Sequence, residues 1–303
     1  EILGGRGIRA VCPYPHRIIR TNENEQEICC FMKPVVKILL YTVLIMIAVI
    51  TLVPLVWMVS ASLMPSGQAS KFPPPFFPDR ITLEHYSGLF TRLNLARYAV
   101  NSAFLSIAVT AISLIINSMA GYAFAKFHFY GRDPLFKLLL SSLVIPAQVT
   151  MLPLFLMLNK MGLINTYAGV IIPGMASVFG IFLIRQFAQS IPDSLIEAAR
   201  IDGAGSFKIY RTIVLPLCKP ILITLGILTF MGTWNDFLWP LIVMTDDSMY
   251  TLPVALANLS LEHVQDTELM MAGSVITIAP VLLLFAALQK YYISGIMAGG
   301  LKE

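Results

Sequence analysis

Charge is what this chain has least of. Only 13% of its 303 residues are Asp, Glu, Lys or Arg, against about 25% in ordinary soluble domains. That excludes a soluble all-α bundle, whose helices need charged outer faces. Strand-length alternation of apolar and polar residues is missing too, which excludes a transmembrane β-barrel. Cysteine is sparse: Cys12, Cys29 and Cys30 lie near the N-terminus and Cys218 stands alone. They have no metal-ligand spacing and imply no disulfide framework. No clustered His, Cys or Asp constellation supports a membrane enzyme. There is no G-x-x-x-x-G-K-[ST] phosphate loop, because "GAGSFK" (Gly203–Lys208) lacks the spacing. No ATP chemistry is therefore expected of this chain itself. No cleavage site follows the first apolar run, so no signal peptide is expected.

Hydrophobic residues make up 57% of the chain and are gathered in blocks. A hydrocarbon core about 30 Å thick needs roughly 20 apolar residues per helix. Six stretches qualify: 38–63, 100–125, 138–158, 163–184, 221–243 and 269–288. Within them Asp236 is the sole Asp, Glu, Lys, Arg or His. The expected fold is an all-α integral membrane protein with six transmembrane helices over residues 32–303. Residues 1–31 break from this composition and read as a disordered or non-native N-terminal extension. Met32, before "KPVVKILLYTVLIMIAVITLVPLVW", is a natural start.

Lys and Arg set the orientation. They concentrate before residue 38, between the second and third stretches (Lys126, Arg132, Lys137), between the fourth and fifth (Arg185, Arg200, Lys208, Arg211, Lys219) and at the C-terminal end. The opposite side has Lys71, Arg80, Arg92, Arg97 and Lys160, and its 245–268 loop carries acids without a single Lys or Arg. Both termini are thus expected in the cytoplasm, with the segment between the fourth and fifth helices. The net charge of +4 belongs to these inner loops and gives no reason to expect nucleic acid as a partner. The loop "KFPPPFFPD" (Lys71–Asp79) excludes helix and favours extended structure over the outer membrane surface.

One polar segment needs its own account. "IPDSLIEAARIDG" reads as a short helix of about ten residues. Ser190 or Asp193 can cap its start and Pro192 suits its first turn. Gly203 can supply the left-handed residue at its end. Leu195, Ala198, Ala199 and Asp202 then share one small, partly apolar face. A second short helix, about Phe207–Leu215, is expected to stop at Pro216. A membrane-surface helix would need a wider Leu/Phe face and more Lys or Arg. A small-residue helix bent at glycines is instead shaped to dock into another protein.

At this point the chain resembles a known family. Glu197-Ala198-Ala199, then Gly203, then Ile213-Val214-Leu215-Pro216 is similar to the EAA signature of ABC importer permeases. "IPAQVTMLPLF" (Ile145–Phe155), "NTYAGVIIP" (Asn165–Pro173), "TWNDFLWPL" (Thr233–Leu241) and the ending "QKYYISGIMAGGLK" resemble the carbohydrate-uptake branch, of the maltose permease second-subunit type. The resemblance covers roughly Met32 to Lys302. It implies a multi-pass cell-membrane subunit that moves a sugar or oligosaccharide by alternating access, with no cofactor of its own. The implied partners are a second homologous permease, two ATP-binding-cassette ATPases, an external solute-binding protein, the sugar and membrane lipid. It also implies that Glu197, Ala198, Ala199, Asp202 and Gly203 form the helix that sits in a cleft on the ATPase and transmits its closure.

Polar residues inside the apolar stretches are candidates for the substrate pathway. An ionisable group in a bilayer is costly and faces a protein interior or water. Asp236 is the strongest, with Asn235 beside it, and Gln148 and Asn117 on other helices. Trp234 could offer an aromatic face to a sugar. Polar side chains also hold membrane helices together. That is the reading favoured for Asn117, while for Asp236 both readings stay open. Trp57 and Trp239 are expected in an interfacial aromatic belt. Pro146, Pro153 and Pro240 can break or kink helices, as happens near transport sites. The close alternative is an importer of glycerol phosphate or another polyol, although a phosphate would favour a basic group that these stretches lack. An ion-coupled secondary transporter, a different class, would tend to need several buried acids or an internal repeat.

Overall fold

A computed structural model describes the backbone of residues 23–91, 94–262 and 266–300, and the side chains of 34, 36–91, 94–259 and 266–289. The chain divides into two compact units, Glu1–Val56 and Trp57–Glu303. The described part of the first is helix α1 (Glu23–Ala61), which runs on into the second. It begins inside the segment assigned to the N-terminal extension; residues 1–22 lie outside the described residues.

Every regular element among the described residues of the second unit is helical. In order come α2 (Glu84–Thr91), α3 (Leu95–Lys126), α4 (Arg132–Ser141), α5 (Ala147–Lys160), α6 (Tyr167–Gly174) and α7 (Val178–Gln189). There follow α8 (Asp193–Ile201), α9 (Ser206–Ile209), α10 (Leu215–Leu217), α11 (Lys219–Trp234), α12 (Leu238–Val243), α13 (Leu252–Glu262) and α14 (Thr267–Gly300).

Four helical segments are long and apolar enough to cross a membrane: Val36–Ala61, Leu95–Lys126, Tyr167–Gln189 and Thr267–Gln289. Two more candidates are bent. Arg132–Val144 meets Ala147–Lys160 at 104°, and Ser206–Leu217 meets Lys219–Trp234 at 79°. Against the expected six transmembrane helices, the described residues hold four such helices, or up to six if each bent pair is one span. The first bend falls at Pro146, which stands before α5 in an extended conformation, as the residue before a helix can. Pro153 lies inside α5 without breaking it.

Pro216 does not stop its helix either. The backbone widens over Tyr210–Val214, where the Leu215 N–H donates to the Tyr210 carbonyl five residues back. A π-type turn of this kind relieves the clash between a proline ring and the carbonyl four residues earlier. The helix continues to Leu217 and bends at Cys218.

The packing of α3 against α7 depends on Gly121. A Cβ there would stand 2.7 Å from Ile184 Cβ and Cγ2 and 3.0 Å from the Arg185 backbone nitrogen. The backbone neighbour cannot rotate away. Gly121→Ala is expected to lower the thermal midpoint of the detergent-solubilised protein, with an overpacking cost of about 1–3 kcal/mol. An unchanged midpoint would show that the two helices have slack.

At one end of this unit the proline loop is irregular, as its sequence demands. Trp57 Nε1 donates to Pro75 O at 3.1 Å and Ser60 Oγ to Phe76 O at 2.6 Å. The Ala69 N–H donates to Oε1 of the fully buried Glu268 at 2.7 Å, which ties the loop to the start of α14.

Candidate functional site

Helix α8 carries the residues singled out for coupling. It spans nine residues. Neither predicted cap forms. Pro192 occupies the N-cap position with no side-chain hydrogen bond, and Ser190 Oγ donates back to Phe187 O. Asp193 turns instead to Lys126, the last residue of α3. Lys126 Nζ donates to Asp193 Oδ1 at 2.7 Å and to Ile191 O at 2.6 Å. That hydrogen bond and the ammonium charge hold the Asp193 carboxyl below the usual carboxylate range.

The other end of α8 matches its prediction. Gly203 has φ +78°. The Ala204 N–H donates to Ala199 O at 2.9 Å and the Gly203 N–H to Arg200 O at 3.0 Å, the paired bonds of a Schellman ending.

Between these ends α8 divides into two faces. Ile196 is buried in a cluster with Tyr122, Ile184, Ile191, Ile209 and Tyr210, and Ala199 and Ala204 pack against it. Tyr210 is fixed there by a 2.7 Å hydrogen bond with Ser118 and by stacking on Tyr122. Glu197, Ala198, Asp202 and Gly203 are exposed, as are Leu195, Ile201 and Phe207. The predicted face is thus split: Ala198 points outward and Ala199 is half-buried.

The pathway candidates do not form one cluster. Asn235 and Asp236 lie in the break between α11 and α12, in the middle of a stretch expected to be one helix. Asp236 Oδ1 accepts from the Trp239 N–H at 3.4 Å and so bonds the first turn of α12 in the manner of a cap, from one residue before the N-cap position Phe237. The Asn235 side chain is exposed, its Nδ2 donating to Met231 O at 2.9 Å. Gln148 is exposed on the first turn of α5.

Two candidates lie in the packed interior. Trp234 does not present a face to a ligand. It is 4% exposed, stacks on Phe230, and its Nε1 donates to Thr277 O on α14. Asn117 is fully buried, as the helix-holding reading expects. Its Oδ1 accepts from the Ser177 N–H at the start of α7 and its Nδ2 donates to Ser113 Oγ. Gly180 leaves room for it, since a Cβ there would be 2.7 Å from Nδ2.

The aromatic-belt expectation is corrected for Trp239 also. It is 7% exposed, and its Nε1 donates to Gly169 O. Trp57 is half-buried against the proline loop. An indole N–H needs a partner when buried, and in each case a loop or helix carbonyl far along the chain supplies it.

Sequence reading missed the polar residues that join distant segments. Lys126 counted only as an inner-loop charge. Asn101 Nδ2 donates to both Ser248 O and Tyr250 O, and its Oδ1 accepts from Tyr167 Oη. Asn165, at φ 57°, accepts on Oδ1 from the Thr245 and Asp246 N–H groups. Only Asn165 left a hint, because asparagine tolerates the left-handed region.

The chain has clear relatives. A family model described as "Binding-protein-dependent transport system inner membrane component" matches residues 117–297. The arabinooligosaccharides transport system permease protein of Halalkalibacterium halodurans is 39% identical over 84% of this chain and 93% of its own. The sn-glycerol-3-phosphate transport system permease protein of Brucella abortus (strain 2308) is 31% identical over 88% of this chain and 97% of its own. Among solved structures, a bacterial ABC transporter involved in the import of the acidic polysaccharide alginate has a chain that matches with a TM-score of 0.77. It is 25% identical, over 86% of this chain and 98% of that one.

Proposed function

Since the chain belongs to the family of binding-protein-dependent transport system inner membrane components, we propose that it is the permease subunit of an ABC importer for an oligosaccharide. Counting each bent pair as one span gives six crossings, with both termini and α8 in the cytoplasm. A second permease completes the pathway, two ATPase subunits hydrolyse ATP, and an external binding protein delivers the sugar. The observation that carries this reading is α8. It is anchored at its base by Lys126 and Ile196 and leaves Glu197, Ala198 and Asp202 free. An exposed helix on a rigid mount suits docking to an ATPase. The named relatives for arabinooligosaccharides and alginate favour a sugar polymer as cargo.

The glycerol phosphate relative keeps a second reading open. A phosphate needs cationic partners, and the Asn235–Asp236 break offers an amide and a carboxylate. The oligosaccharide is therefore the better match, unless the second permease supplies the cation. Proteoliposomes holding the complex purified through this chain test both. ATP-dependent accumulation of a neutral oligosaccharide is the expected result. Accumulation of glycerol phosphate alone selects the second reading. Uptake that ignores ATP and is abolished by a protonophore would make the chain an ion-coupled carrier.

Asp236 belongs to the proposed pathway. Asp236→Asn is expected to assemble normally, because asparagine caps about as well as aspartate, and to lower uptake several-fold by removing the charge, on the order of 1 kcal/mol. Asp236→Leu loses the cap as well, a further cost of about 0.5–2 kcal/mol. If Asp236→Asn transports normally while Asp236→Leu fails to assemble, the residue is a cap and not a pathway group.

A further inference from the structure

We propose that Lys126 is the positioning residue that couples α8 to the membrane helices; this rests on reading α8 as the ATPase-docking helix. The Lys126 side chain is 6% exposed, although the Asp193 it holds is 75% exposed. Its ammonium grips both sides of Pro192, through Ile191 O and Asp193 Oδ1. Proline has no N–H, and α8 has no side-chain cap of its own. The lysine thus does from outside what a cap would do from within. Charge-assisted bonds of this length are among the stronger ones. The sites also suit the charges: Lys126 ends α3, where a cation is favoured, and Asp193 begins α8, where an anion is favoured.

The helix that Lys126 ends is bonded again at its far end. There Asn101 holds Ser248 O and Tyr250 O, and Ser102 Oγ accepts from the Leu252 N–H at 2.8 Å. The α3 rod, 32 residues long, therefore joins the mount of α8 to the segment that follows α12. A push on α8 reaches that segment through one continuous helix, provided Lys126 keeps its grip. Without it, the contacts that remain include those of Ile196 and Ala199, which are apolar and fix no angle.

The test uses the whole transporter in proteoliposomes with Lys126→Met, Lys126→Arg and Asp193→Lys. ATP hydrolysed per sugar moved and hydrogen exchange at the amides of residues 193–201 are measured. Lys126→Met is expected to raise both by about tenfold, with the ATPase subunits still bound. Lys126→Arg, which keeps the charge and can reach two acceptors, is expected to stay near wild type; a merely space-filling role would not discriminate in this way. If Lys126→Met does not accumulate in the membrane, Asp193→Lys, at an exposed site, gives the same two readouts and is expected to raise both. A wild-type ratio of ATP to sugar in the variant that accumulates would overturn the proposal while leaving α8 as the docking helix. ATPase subunits that bind unchanged when Ala198 is replaced by Trp would overturn that docking reading itself.

Discussion

Gly203→Val is expected to enter the membrane as the wild type does and then to fail to link ATP hydrolysis to uptake. The residue lies outside the apolar spans, so insertion is untouched. Its φ of +78° is the problem. A β-carbon costs about 1–2 kcal/mol in the left-handed region. Nothing lies within 4 Å of where that carbon would stand, so strain and not collision is the cause. The chain can relieve the strain by moving Gly203 to negative φ, and that breaks the Ala204-to-Ala199 and Gly203-to-Arg200 bonds that end α8. A cost of this size shifts the population of the native turn by roughly 5–30-fold. Gly203→Asn is the control, because asparagine also serves at this position, and it should behave nearly as wild type. ATPase co-purification and sugar-stimulated hydrolysis of the purified complex check the result. Wild-type values of both for Gly203→Val would remove the glycine turn from the coupling mechanism.

This turn was legible in the sequence because its signal is local. Glycine at the end of a short polar helix has few other uses, and the structure puts Gly203 in the left-handed conformation. The apolar stretches were equally legible as helices, since hydropathy is a sum over neighbours. What the sequence hid was pairing. Asp193 has the form of an N-cap, but Lys126, 67 positions earlier, takes it. Trp234 and Trp239 look like interfacial anchors or ligand faces, and carbonyls on other helices take their N–H groups. The bends were half visible. Pro146 marks one. The break at Asn235–Asp236 precedes Pro240, which sits within the first turn of α12 where proline is tolerated. In each miss the residue type was informative and its partner was not.

Ala198 and Ala199 should give opposite failures when enlarged, and the difference separates docking from folding. They are neighbours in one signature, but a helix turns about 100° per residue. Ala198 is exposed, whereas Ala199 packs against the cluster of Ile196, Tyr210 and Ile184. Ala198→Trp therefore leaves the permease intact. It adds bulk only on the face that a partner cleft must enclose, and the expected result is loss of bound ATPase with a wild-type thermal midpoint. Ala199→Trp forces a large ring into the filled base of α8. Overpacking there costs about 1–3 kcal/mol, so the midpoint of the permease falls before any partner is added. Glu197 and Asp202 flank Ala198 on the exposed side, and acids beside a small apolar patch suit a cleft with a basic rim. Thermal denaturation of the isolated permease and ATPase binding by the same variants decide the matter. If Ala198→Trp retains the ATPase while only Ala199→Trp loses it, the exposed face of α8 is not the docking surface.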